Sequence, residues 1–217
     1  MKKLMVMSVM ASALTVPVLA NAATTADLKL IGTITPAACT PNFTGGATID
    51  YGNIPAGTLN QATQTLLPEK TTKLTVTCTA PVKFALATTD DRSSSAVTTL
   101  DTIVSYTADM KFGLGSAGNG AKIGAYSLQI SNEVPDAGAT QRIFSLDGGT
   151  TWATFQGGLS TARLISFANS ATSTVPAAHT SMAMDVRVVA AIDKAMNLPI
   201  TNSITIDGMT TIEVRYL

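Results

Sequence analysis

Apolar and polar residues alternate with a period of two in run after run of this chain, and no other feature limits its fold as strongly. Leu28, Leu30, Gly32 and Ile34 fall on one side of such a run, with Asp27, Lys29 and Thr33 on the other. Leu74, Val76 and Cys78 alternate in the same way with Lys73, Thr75 and Thr77. A strand sends successive side chains to opposite faces, so this pattern gives a strand one apolar face, whereas a helix would scatter the same residues around its axis. Composition agrees: threonine is the commonest polar residue, with 34 copies, and branching at Cβ suits a pleated backbone better than a helix. Further strands are expected near Ile49 to Ile54, Val82 to Ala87, Ile103 to Phe112, Ile123 to Ile130, Gln141 to Leu146, Leu164 to Phe167, Met184 to Ala190 and Ile204 to Tyr216. Between them lie turn-forming clusters such as 90–95, 115–120, 135–138 and 170–176. Many short strands at this spacing predict an all-β sandwich. A helical turn is expected near Ile192 to Leu198, and there is no linker, tandem repeat or heptad pattern.

The first 22 residues read as a secretory signal. Lys2 and Lys3 form a positive start, Leu4 to Ala20 an apolar stretch, and Ala20-Asn21-Ala22 supplies the small residues at which cleavage between Ala22 and Ala23 is expected. A membrane anchor is disfavoured, because the apolar run is short for a span and is interrupted by Pro17. Loss of the two lysines leaves a mature chain with a net charge of about −2, expected to be exported and soluble. In an oxidising compartment the two cysteines, Cys39 and Cys78, read as one disulfide. It closes a loop of about 40 residues and is worth about 4 kcal/mol in the chain-entropy model. A catalytic thiol has less support, since no CxxC or basic neighbourhood is present to lower its pKa.

Other chemistry is sparse. Fourteen Lys and Arg balance fourteen Asp and Glu, which argues against the clustered basic surface that nucleic acid requires. A single histidine and two cysteines leave little for a zinc site. No catalytic residue, metal ligand or cofactor is expected. Gly113-Leu114-Gly115-Ser116-Ala117-Gly118 satisfies GxGxxG, but no βαβ unit surrounds it. Ser145 to Trp152 resembles the Asp-box of sialidase-type propellers; as a single copy it predicts a hairpin with an Asp-Gly-Gly turn and a packed Trp152. Asn42-Phe43-Thr44 is an acceptor sequence only in a host that glycosylates. His179 is expected in a surface loop, and Met182, Met184, Met196 and Met209 read as core filler ahead of a copper-handling stripe.

The two ends of the mature chain are the most informative. The alternating run at 23–34 precedes the first cysteine with little to anchor it. In the final strand, Ile204, Ile206, Ile212, Val214 and Tyr216 share a face, which places that strand at a sheet edge or beside a missing neighbour. The segment from Leu28 to Cys39, with a glycine seven positions before the cysteine, resembles the N-terminal extension of chaperone-usher pilin subunits. Asp50-Tyr51-Gly52-Asn53-Ile54 looks like the strand that follows in those subunits, Thr71 to Cys78 is similar to the strand delivering the second cysteine, and Tyr216 occupies the penultimate aromatic position. Within the group the chain looks closest to fimbrial-like exported bacterial proteins that carry a domain of unknown function.

That resemblance implies a pilin-type, incomplete immunoglobulin-like sandwich over residues 36–217, with residues 23–35 acting as a donor strand. It implies partners as well: a periplasmic chaperone, an outer-membrane usher and neighbouring subunits, with the protein passing from the periplasm to a surface fimbria and serving adhesion. Leu28, Leu30 and Ile34 would fill pockets of the next subunit, Gly32 would sit where the groove is shallow, and Ile212, Val214 and Tyr216 would meet the chaperone. Two departures stand out. Ile204 replaces the glycine found fourteen positions from the end of many pilins, and the middle region, 136–176, is long. A self-sufficient monomeric binding module and, more remotely, a hydrolase remain the alternatives.

Overall fold

A computed structural model describes residues 25–100 and 107–217. The chain forms two units, 1–35 and 36–217, and the signal segment with its cleavage point at Ala22 and Ala23 lies outside the described residues. In the first unit, residues 25–35 join no strand ladder, although the sequence predicts a strand there. Leu28, Leu30, Ile31 and Ile34 are 83–99% exposed.

The second unit is all-β. Its strands are β1 (Cys39–Thr44), β2 (Thr65–Leu66), β3 (Lys70–Asp90), β4 (Phe112–Gly113), β5 (Gly124–Pro135), β6 (Gln141–Ser145), β7 (Ala153–Thr154), β8 (Leu164–Ala168), β9 (Ala178–Ile192) and β10 (Thr210–Tyr216). A curled antiparallel sheet joins them, and β3 is the strand around which it curls. The first half of β3 pairs with β1 on one side and β9 on the other, and β9 continues to β5 and β4. Its second half pairs with β10 on one side and β8 on the other, and β8 continues to β6 and β7.

The local sequence explains the change of layer. Between Thr77 and Val82 the register of β3 against β9 slips, and Pro81, which has no N–H to give a ladder, stands inside the slip. Leu74 and Val76 are buried before it and Phe84 and Leu86 after it, so both halves turn their apolar row to one interior. Met182, Met184 and Val186 of β9 and Phe167 of β8 complete this core at 1% exposure or less. Each such side chain contributes about 1.5–3 kcal/mol by leaving water. Cys39 lies opposite Cys78 in the β1–β3 register, and the two form the disulfide.

Several expectations require correction. Ile49 to Ile54 alternates as a strand should but joins no ladder. The C-terminal strand begins at Thr210 and not at Ile204. Of the run 103–112, residues 103–106 lie outside the described residues, Ala108–Met110 is a 3-10 turn, and only Phe112 enters a strand. Within the long region 136–176 the expected strands stand as β6 and β8, and the short β7 between them is the addition. The helical turn expected near Ile192 to Leu198 is present, as a 3-10 turn at Ala195–Asn197. His179 is no surface residue: it lies in β9 at 3% exposure, with Nδ1 3.1 Å from Asp136 Oδ1. Its loop-like neighbours Pro176 and Ala177 stand directly before β9, which begins at Ala178.

Candidate functional site

Two edges of the curled sheet have a neighbour on one side only. β1 pairs with the first half of β3, and β10 with the second half. At one end the two edges come together, where the Cys39 N–H donates to Tyr216 Oη at 2.8 Å. Away from that point they separate. β1 ends at Gly45 and Gly46, whose φ values of 93° and 104° suit residues without a side chain and turn the backbone out of the ladder. Residues 47–54 then continue as one rim, and residues 200–209, leading into β10, form the other.

Neither rim belongs to a strand. The main chain of the second is held to neighbouring segments where Asp207 N–H donates to Leu114 O at 2.9 Å and Asp91 N–H to Met209 O at 3.0 Å, and it turns locally through Ile200 N–H to Leu198 O and Asn202 N–H to Pro199 O. The first is held chiefly by Lys70, whose ammonium donates to Asp50 O at 2.7 Å and lies 5.4 Å from the centre of the Tyr51 ring. The Gly52 N–H donates to Asp50 Oδ1 at 2.7 Å, and neither rim joins a strand ladder among the described residues.

Between the rims runs a groove of mixed polar and apolar lining made of two adjoining hollows, of about 580 and 450 Å³. The first has Ile49, Tyr51 and Ile54 on one side and Ile200, Ile204 and Ile206 on the other, over Ile123 and Ile192. The second lies between Phe43, Ile49 and Tyr51 and the Ile206, Gly208 and Ile212 side, over Tyr126, Leu128, Val186 and Val188. Ile49, Tyr51 and Ile206 border both hollows and so lie where the two adjoin.

Gly208 belongs to this wall for a steric reason. A Cβ there would lie 2.8 Å from Tyr126 Cε1 and 3.3 Å from Gly113 O, so only glycine lets the rim pack down on the tyrosine. Burial raises the Tyr126 phenol to about 12, and its hydroxyl is paired with Thr210 Oγ1. Tyr51 differs. Burial, with Glu69 nearby, raises its phenol too, but its Oη is buried without a hydrogen-bond partner among the described residues.

The residues singled out by sequence fall unevenly around this groove. Ile212 lines it, Ile212 and Val214 pack against the core, and Tyr216 closes its narrow end. Leu28, Leu30, Gly32 and Ile34 belong to the other unit. The rim residues Ile49, Tyr51 and Ile206 are legible in the sequence only as alternating apolar positions; what distinguishes them is the lack of a paired neighbour, which sequence does not display.

Elsewhere the polar side chains serve the fold. Asp147 accepts from Thr151 Oγ1 and from the Thr150 and Thr151 N–H groups, and these bonds hold its carboxyl well below the usual range. They shape the Asp-Gly-Gly turn, over which Trp152 packs, with its indole N–H donating to Gly149 O at 3.0 Å. Phe144 and Phe155 pack at a tilt with ring centres 5.2 Å apart, both within reach of the Arg163 guanidinium, which removes Phe155 as a bare aromatic platform. Gly113 of the GxGxxG match has no room for a Cβ, which would collide with Arg92 O. Met182 and Met184 fill the core, while Met196 and Met209 are exposed. Among the described residues no three His, Cys, Asp or Glu side chains gather where they could hold a metal ion.

An all-β domain with one disulfide and an open groove is thus the class that fold and site define. Residues 28–127 match the family model described as "Protein of unknown function (DUF1120)". The chain is also 33% identical over 234 aligned positions to "Protein GltF" of Escherichia coli (strain K12), a match spanning 92% of this chain and 91% of that protein. The chain belongs to the GltF family.

Proposed function

We propose that this protein is a structural subunit of a chaperone-usher fimbria, polymerised by donor-strand exchange and contributing to adhesion at the bacterial surface. The observation that carries the reading is the groove, a channel with rows of isoleucines on its walls between two rims that join no strand ladder. A strand added there would complete the sandwich by β-augmentation. Residues 23–35 of a neighbouring subunit have the composition for it: Leu28, Leu30 and Ile34 alternate, and all three are exposed. Burying those three side chains is worth roughly 5–9 kcal/mol before ordering costs.

In this reading the signal segment directs the chain to the periplasm, a chaperone first occupies the groove along β10, and the usher exchanges that strand for the next subunit's extension. The protein then has no catalytic role and uses no cofactor. The reading is tested by the melting temperature of the mature chain lacking residues 23–35, with and without a synthetic peptide of those residues. A marginal truncated protein, raised sharply by the peptide and not by its Leu30→Asp version, is the expected result. A high melting temperature unaffected by either peptide would rule out polymerisation and leave a self-sufficient binding module.

A further inference from the structure

The methionines fall into two sharply different environments. Met1, Met5, Met7 and Met10 lie in the stretch that reads as a signal, and five others remain in the mature sequence. Met110, Met182 and Met184 are packed at 3% exposure or less, whereas Met196 and Met209 are 70% and 52% exposed. Both exposed residues lie on the segment that joins β9 to β10. Met196 stands in the 3-10 turn Ala195–Asn197, and Met209 lines the second hollow just before β10 begins.

These thioethers are the readily oxidised sulfurs of the mature chain, because its two cysteines are joined in the disulfide and no thiol is left. Oxidation of methionine follows access to the sulfur. The two exposed residues belong to no strand, and their segment is tied down through main-chain atoms. Met196 N–H donates to Gln61 O at 3.3 Å, and Met209 O accepts from Asp91 N–H at 3.0 Å. A sulfoxide at either position adds a polar atom at the surface. Met182 and Met184 lie opposite Val76 and Leu74 in the β3–β9 ladder, and a sulfoxide there would force a polar atom into a packed core.

We propose that Met196 and Met209 form a sacrificial oxidation site, which takes up two-electron oxidants of the hypohalous acid and peroxide class and spares the core. With hypochlorous acid, the sulfur lone pair forms an S–Cl bond as the Cl–O bond breaks and hydroxide leaves. Water then displaces chloride, so that the net products are sulfoxide, chloride and one proton. A methionine sulfoxide reductase reverses the change with two electrons from a dithiol and releases the oxygen as water. The site does not depend on what occupies the groove.

The test treats the mature chain, disulfide intact, with two molar equivalents of hypochlorous acid. Peptide mapping should place the added oxygens at Met196 and Met209, at rates about tenfold or more above those at Met110, Met182 and Met184. The melting temperature of the product should stay within about 2 °C of that of untreated protein. Met196→Leu/Met209→Leu keeps side-chain volume and should fold normally. The same dose should oxidise its core methionines and the partly exposed Trp152 about threefold or more beyond the level in the parent. In urea the five methionines should react alike. Oxygen spread evenly over all five in the folded chain, or a rate order that persists in urea, would overturn the role of exposure. Equal damage elsewhere in the parent and the double variant, or a melting temperature that drops by more than about 5 °C once only Met196 and Met209 are oxidised, would overturn the protective role.

Discussion

Leu74 and Ile206 occupy equivalent places in their sequence patterns and meet opposite surroundings. Leu74 faces Met184 across the β3–β9 ladder, and both are at 1% exposure or less. Ile206 alternates just as regularly with its neighbours, yet it borders a hollow and remains partly exposed. The central ladder and the groove rim are thus built from the same apolar periodicity, and only the ladder is supplied with a partner. Alternation in sequence states a demand for burial. Whether the demand is met depends on what the fold sets opposite.

Perturbations of the two regions should differ in size, and the differences bear on that contrast. The largest loss is expected from the disulfide beside the closed end of the groove. Replacing Cys39 and Cys78 together by alanine, at a separation of 39 residues, should cost about 4 kcal/mol in urea denaturation. Leu74→Ala in the central ladder should cost about 3 kcal/mol by leaving a cavity in a closed core. If it cost no more than Ile206→Ala, the distinction between ladder and rim would collapse.

Gly208→Ala should come next, at about 2 kcal/mol, since its new methyl group has to push against the Tyr126 ring. Ile206→Ala should change the isolated protein by less than about 1 kcal/mol, because its side chain gains little burial there. The same variant should lose a larger part of the stabilisation conferred by the 23–35 peptide. An equal effect with and without peptide would mean that the groove is not where the peptide acts.

The smallest effect concerns pH. Hydrogen bonds from Thr180, and then from His179, hold the Asp136 carboxyl below its usual range. A depressed carboxyl favours the folded state above its unfolded pKa of about 3.9, and that contribution disappears as pH falls through the lower folded value. Melting temperature should therefore decline below about pH 4, and Asp136→Asn should flatten a small part of the decline. An identical acid profile in the variant would remove Asp136 from the account.

Much of this molecule is legible in its amino-acid order. The strand runs around Leu74, Ile123, Leu164 and Met184 lie where their periodicity predicts, because each has an apolar row wide enough to require burial. The disulfide follows from there being one cysteine pair in a chain with an export signal pattern. The hairpin at Asp147 is legible from its Gly-Gly turn, since such signals act over a few residues and need no distant partner. The burial of His179 is not legible, because it depends on Asp136, far away in sequence.

Sequence alone determined the periodicity, the turns and the covalent link, all of which arise from neighbouring residues or from residue type. Only the tertiary structure decided that β3 bends at the slip around Pro81 and serves two layers. It also decided that two well-patterned segments, 47–54 and 200–209, face each other without a strand between them. Pairing is a relation between distant segments, and a chain's own pattern records only one side of it.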